Sequence, residues 1–367
     1  RLSRLSVADN DVRKVVKERA YSLAWHPSPE KLLIACGDKA GHVGFWIVDG
    51  LPSDSIDGGG GGGGGDGGGS SGGDDDPDQF MFRPHTGAVS RLQYAPSDPN
   101  RLFSTSYDGT VRALDVNRGE FFQMYATDED DGTYLTYSDF AAGGNVMYVS
   151  DDAGAVSALD FRLAGALVWR HTLHNKKVNT VQINPADGNV MLTASLDRTM
   201  RQWDLRTFGG GGGGSAKGKA AKGKAPLALA EAPHKQSINS AHFCPTGEWL
   251  ATVCHDDWAS DSNCGKRLNK FARPHHSLVH DNHTGRWLTK FQVSWDPKAA
   301  DVYVVGSMAR APNSVVEVFA AAETKASAPI ARLRGDVMAS IQSVNVFHPA
   351  RDVVAGVNSS GRVHIFR

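Results

Sequence analysis

The chain has 367 residues, with 39 Lys plus Arg against 40 Asp plus Glu, so its formal net charge is −1. A length of this order fits two ordinary domains or one large all-β unit, and near-neutrality excludes nucleic-acid binding by bulk positive charge while leaving local patches open. Four cysteines (Cys36, Cys244, Cys254, Cys264) form no dense framework, which fits a reducing nuclear or cytosolic compartment. No apolar run reaches the roughly 20 residues of a membrane span, and no membrane partner is expected.

The N-terminal arm, up to Ala20, carries six basic and three acidic residues and does not read as a signal peptide. The first strong organising mark follows at Trp25-His26-Pro27: an apolar residue, a spacer and a proline closing an alternating apolar run. The mark returns at Tyr94-Ala95-Pro96, Ile183-Asn184-Pro185, Phe243-Cys244-Pro245, Trp295-Asp296-Pro297 and Phe347-His348-Pro349, with a proline-less form at Phe140-Ala141-Ala142. The steps are 69, 46, 43, 60, 52 and 52 residues. The two longest contain glycine-rich stretches, read as disordered insertions: a Gly/Asp-rich one at 57–78 and a Gly/Lys-rich one at 208–232. Without them the period approaches the 40 to 45 residues of a four-stranded propeller blade.

Six of the seven units also contain two alternating strands around a tight turn, as in LFSTSYDGTVRALDV and VMLTASLDRTMRQWDL. Period-2 alternation on both sides of Asp-Gly or Ser-Gly is a hairpin signature. The fold expected is therefore all-β: residues 1–367 as a single seven-bladed β-propeller. Val12 to Arg19 would supply the outer strand of the last blade and so close the ring.

The fourth unit carries His174, Ser195, Asp197 and Trp203 at the spacing of a buried structural tetrad, with Asp197 accepting from His174 and Ser195. Ser, His and Asp together also suggest a hydrolase triad, but no nucleophile elbow accompanies them. Nothing else assembles a nucleophile, base and oxyanion site, so a non-enzyme is expected. Cys254-His255, Cys264 and His275-His276 lack the spacing of any common zinc module, and neither a metal nor a cofactor is expected.

Two units end in Asp-x-Arg, at Asp160-Phe161-Arg162 and Trp203-Asp204-Leu205-Arg206; the Asp would hold the Arg for presentation to a partner. The sixth unit opens on a long polar stretch with Gly285-Arg286-Trp287 at its tip, a pair suited to stacking on a base or wedging into a duplex. From 266 to 310 there are eight basic residues against three acidic ones. The segment before the fourth unit, with Lys176 and Lys177, and the N-terminal arm are basic too. Because such segments enter blades from the same side of a propeller, they are expected to converge on one rim.

The stretches AYSLAWHP, SYDGTVRALD, LHNKKVNTVQINP, TASLDRTMRQWDLR and TGRWLTKFQVSWDP, followed by VVGSMAR, resemble the WD-repeat DNA-damage-binding family, relatives of the small subunit of the UV-damaged DNA-binding complex. The resemblance covers nearly the whole chain apart from the glycine insertions. It implies a nuclear propeller that binds damaged or distorted DNA with little sequence preference and acts in the DNA damage response, DNA repair or chromatin maintenance. It further implies docking on the adaptor of a cullin-RING ubiquitin ligase. Carried over residue by residue, DNA contacts fall on Arg19, Lys176, Lys177, Gly285, Arg286, Trp287 and Arg310, and ligase docking on Asp160, Arg162, Trp203, Asp204 and Arg206. That subunit inserts a Phe-Gln-His tip where this chain has Gly-Arg-Trp, so lesion selectivity is not implied. The rival reading is a protein-interaction scaffold that grips a histone tail or another peptide on the propeller face.

Overall fold

The computed structural model describes residues 2–50, 77–128, 132–163, 165–208, 226–254, 258–263, 276–280, 284, 288–309, 314–321 and 328–367. Among them the strands group into seven four-stranded antiparallel sheets, and no helix is long and apolar enough to cross a membrane. Sheet 1 comprises Ala20–Trp25, Leu33–Asp38, Val43–Ile47 and Gln79–Phe82, from the inner strand outward. The inner strands of sheets 2 to 7 are Val89–Ala95, Leu135–Phe140, Val178–Asn184, Ile238–Phe243, Ser294–Trp295 and Gln342–Phe347. All seven apolar marks of the sequence thus fall on or beside the inner strands. Each inner strand contacts that of the next sheet, and the last contacts the first. This is a β-propeller.

The ring closes as the sequence suggests, with a shorter strand. Val12–Lys14 pairs antiparallel with Arg362–Phe366, Val12 opposite His364 and Lys14 opposite Arg362, so both ends of the chain share sheet 7. The cores lie between neighbouring sheets. One joins Ile34, Cys36 and Trp46 of sheet 1 to Val357, Val363 and Ile365 of sheet 7, all at most 1% exposed. Burying side chains of this size stabilises by roughly 1.5–3 kcal/mol each.

Short polar links supplement this packing along the inner strands. Ser22 Oγ donates to the Val89 carbonyl at 2.8 Å, Ser90 Oγ to Leu135 at 2.9 Å, Thr136 Oγ1 to Val178 at 2.5 Å and Asn179 Nδ2 to Ile238 at 2.7 Å. Each ties one sheet to the next.

An antiparallel meander places its connections alternately at two ends. The loops between sheets and the turns between second and third strands open on one face, called here the upper face. The turns between first and second and between third and fourth strands open on the lower face. On the lower side the central channel widens to about 470 Å³, lined by Pro27, Pro185, Pro245, Pro297 and Pro349.

Three boundaries read from the sequence need correction. The insertion assigned to 208–232 is too long at both ends. Phe208 is buried against Trp169 and Trp203, and Ala228–Pro233 is the outer strand of sheet 4, with Ala228 opposite Trp203. The insertion at 57–78 likewise ends early, since the Asp78 carbonyl accepts from Ile47 N at 2.9 Å. Residues 57–76 and 209–225 of these two stretches lie outside the described residues.

The tetrad is also corrected. His174 Nδ1 meets Asp197 Oδ2 at 2.9 Å, but Nε2 meets Thr193 Oγ1 at 2.7 Å, and Trp203 Nε1 donates to the same hydroxyl at 2.8 Å. Thr193, not Ser195, is the fourth member. Ser195 sits two residues further along the same strand, nearer the upper face, where its Oγ reaches the carbonyls of Lys176 and Lys177 at 3.0 and 2.9 Å. Sheet 2 repeats the arrangement with His85, Ser104 and Asp108. There the hydroxyl again precedes the carboxylate by four residues, and Leu114 stands where sheet 4 has its indole.

Candidate nucleic-acid interface

The upper mouth of the channel is a cavity of about 200 Å³ lined by residues from six sheets or the segments leading into them, Arg19, Tyr21, Tyr107, Lys177 and Lys290 among them. Their placement follows from the repeat. Arg19 and Lys177 each stand six residues before the apolar mark of their unit, just ahead of the inner strand. Tyr21, Ser90, Thr136, Asn179 and Asn239 each stand four residues before theirs and also line the mouth. A seven-fold repetition thus converts positions scattered over the chain into one polar collar.

Aromatic rings hold the cations in place. The Arg19 guanidinium donates to Tyr21 Oη at 2.7 Å, while Lys177 Nζ donates to Tyr107 Oη at 2.6 Å and sits 4.5 Å from that ring's centre. Tyr21 and Tyr107 meet edge to face at 6.0 Å, and Tyr107 in turn lies 5.9 Å from Tyr134, which is 52% exposed. Such contacts orient positive charge without neutralising it. Among the described residues, no carboxylate lines the mouth.

The loop with Lys176 and Lys177 is clamped from two sides. Ser195 bonds both backbone carbonyls, as above, and Gly154 of sheet 3 packs against the His174 and Lys176 carbonyls. Gly154 has φ +93°, and a Cβ there would fall 2.2 Å from the His174 oxygen, so only glycine suits the position. Lys176 itself is exposed.

Lys290 reaches the mouth from the segment leading into sheet 6. That segment is fixed across the channel by Thr289 Oγ1, which donates to the Ala20 carbonyl at 2.5 Å, and by Phe291, which is fully buried. Burial lowers the Lys290 amine to about 8, helped by the charge of Lys177. Deeper in the channel, burial brings His242 down to about 3, with Arg91 adding to the effect, so its ring is neutral beside Tyr137 Oη at 2.8 Å.

Of the DNA-contact candidates, Arg19, Lys176 and Lys177 share the upper face, and two of them line one cavity. Gly285, Arg286, Trp287 and Arg310 lie outside the described residues. Tyr21 and Tyr107 were not singled out by sequence reasoning, and Lys290 only as one of the eight basic residues between 266 and 310. The register of the repeat carried the signal for Tyr21, while Tyr107 and Lys290 come from a strand turn and an irregular lead-in.

The Asp-x-Arg pairs occupy the lower face, at the third-to-fourth strand turns of neighbouring sheets. Arg162 Nε and a terminal nitrogen donate to Asp160 at 3.0 and 2.6 Å, and Arg206 does the same to Asp204 at 2.9 and 2.7 Å. In both, the Arg backbone N–H also bonds the carboxylate. The guanidinium hydrogen bonds hold both carboxyls below the usual range and raise both Arg. The two Arg side chains are 66% and 72% exposed. Trp203, included in this group by sequence, is instead only 4% exposed and packs with Leu205 and Phe208. It holds the tetrad hydroxyl and offers little surface to a partner.

Family models for the WD domain, G-beta repeat, match residues 78–115, 165–204 and 230–259. The chain is 31% identical over 373 residues to WD repeat-containing protein 76 of Xenopus laevis, covering 100% of this chain and 56% of that protein. The corresponding mouse protein is 30% identical over 370 residues, with 100% and 52% covered. DNA damage-binding protein CMR1 of Chaetomium globosum is 30% identical over 366 residues, with 95% and 64% covered. The chain belongs to this WD-repeat family. It spans about half the length of the WD repeat-containing protein 76 relatives it matches.

Proposed function

We propose that the chain is a seven-bladed propeller that binds DNA on its upper face and acts in the nucleus in the DNA damage response or in chromatin maintenance. In this reading the seven sheets are the blades of a single domain spanning 1–367. The observation that carries it is the mouth itself: Arg19, Lys177 and Lys290 converge with Tyr21 and Tyr107 in a collar that holds no carboxylate among the described residues. Cations attract phosphates regardless of sequence, and aromatic faces stack on exposed bases. The name of the Chaetomium relative, DNA damage-binding protein, supports the same reading. Arg286 and Trp287 would act as a wedge at deformable sites, where unstacking costs less, and Lys176 and Arg310 would add phosphate contacts.

Docking of a cullin-RING ligase adaptor belongs to the lower face, through Arg162 and Arg206 held by Asp160 and Asp204. The motive is the matching geometry of two preorganised guanidinium groups on neighbouring sheets.

The test is a binding titration at two salt concentrations with a lesion-containing duplex, an intact duplex and a histone-tail peptide. Duplex affinity that falls steeply with salt supports the DNA reading. A tight peptide complex insensitive to salt, with weak duplex binding, would replace it with a peptide scaffold, for which the exposed Tyr134 beside Tyr107 provides an anchor.

A further inference from the structure

Lys290 differs from the other cations of the mouth. It makes no hydrogen bond or ion pair with any described residue, whereas Lys177 and Arg19 are each held by a tyrosine. Its backbone is fixed by the neighbours Thr289 and Phe291, and its side chain lines a cavity whose other charged members, Arg19 and Lys177, are both positive. Among the described residues, the remaining titratable groups facing it are the phenols of Tyr21 and Tyr107. A desolvated amine next to another cation is the setting in which lysine becomes a nucleophile toward carbonyl carbon.

We propose that Lys290 forms an imine with a phosphate-bearing aldehyde held in the upper mouth. Such an aldehyde has two sources: the ring-opened sugar of an abasic site in a DNA strand, and a free phosphorylated aldehyde. The first source rests on the DNA reading above; the amine's reactivity does not. In the step, Nζ attacks the aldehyde carbon, a C=N bond replaces C=O, and the carbonyl oxygen leaves as water with the two protons of the neutral amine. No oxidant or reductant is consumed. Arg19 and Lys177 would hold the phosphates. A cavity of about 200 Å³ admits a base-free sugar.

The neutral amine is the reacting species. With its proton affinity lowered to about 8, roughly one Lys290 in ten is neutral at pH 7, against fewer than one in a thousand for an ordinary lysine. Because Lys177 contributes to that lowering, Lys177→Gln should raise the pH at which the imine forms.

The experiment incubates the intact chain with a duplex bearing one abasic site, or with pyridoxal 5′-phosphate, each with cyanoborohydride, and locates the reduced adduct by peptide mass spectrometry. The proposal predicts that Lys290 carries the main adduct in both arms, that Lys290→Arg lowers trapping at least tenfold, and that Lys177→Gln moves the pH midpoint upward. Adducts spread over surface lysines, or undiminished trapping in Lys290→Arg, would overturn it. Mapping the wild-type adduct makes the result independent of how the variant folds. Labelling of Lys290 by pyridoxal phosphate alone would uphold the amine and reject DNA as its source. Normal duplex binding with no adduct at Lys290 in either arm would reject the proposal and leave the DNA reading standing.

Discussion

The two faces of the propeller use the same residue types to opposite ends. On the upper face Arg19 and Lys177 rest on tyrosines, and no described carboxylate lines the mouth. On the lower face Arg162 and Arg206 are each gripped by an aspartate two residues earlier, which fixes the fork and cancels most of its charge. The first arrangement suits a diffuse polyanion, where long-range field matters; the second suits a shaped protein surface, where orientation matters. One blade repeat yields both, because the position before the inner strand and the end of the third strand open on opposite faces.

The largest effect should come from stripping the upper face. Arg19→Ala with Lys177→Ala is expected to weaken duplex binding by about 100-fold at low salt, roughly one order per lost phosphate contact, while recovery of a ligase adaptor in co-purification stays unchanged. If adaptor recovery fell as well, the two faces would not be separable. Arg162→Ala with Arg206→Ala should do the reverse: adaptor recovery falls about tenfold, with duplex affinity measured by fluorescence anisotropy unaltered.

Acid should act through the His85–Asp108 and His174–Asp197 pairs on the upper face. Partial burial pushes the Asp108 and Asp197 carboxyls up, but hydrogen bonds from His85 or His174 and from Thr110 or Thr199 outweigh it and leave both below the ordinary range. A carboxyl lowered in the folded state contributes stability that is full above its unfolded value near 4 and is lost as pH falls through and below that value. Thermal melts between pH 7 and pH 3 should therefore show a smaller acid loss in Asp197→Asn than in wild type. An identical acid slope would mean the pair is not linked to folding.

Ser195→Ala is expected to give the smallest change, about 1 kcal/mol in stability and a two- to threefold loss of duplex affinity, since Lys177 keeps its charge but loses its clamp. A loss as large as that of the double variant would mean that loop order, not charge, dominates the upper face.

The fold was largely legible because its signal repeats. Seven apolar marks, two glycine-rich stretches and the closing N-terminal strand were enough to read the ring. What escaped was finer than the repeat. Thr193 and Ser195 point the same way from one strand and differ by a single step along it, so spacing alone did not decide which hydroxyl His174 uses. The collar was legible in retrospect through residues four and six before each mark, but Lys290 breaks that register, and Tyr107 enters from a different turn. Sheet 6 explains the break: its inner strand is only Ser294–Trp295, and Phe291, Trp295, Tyr303 and Phe319 pack where other sheets rely on strand pairing.

The central claim is that the cationic mouth is where DNA binds. Its most direct measurement is the slope of log affinity against log salt for an intact duplex, in wild type and in Arg19→Ala with Lys177→Ala. The account predicts that the slope becomes shallower by about two, near 0.9 for each phosphate contact removed. An unchanged slope in a folded double variant would contradict it.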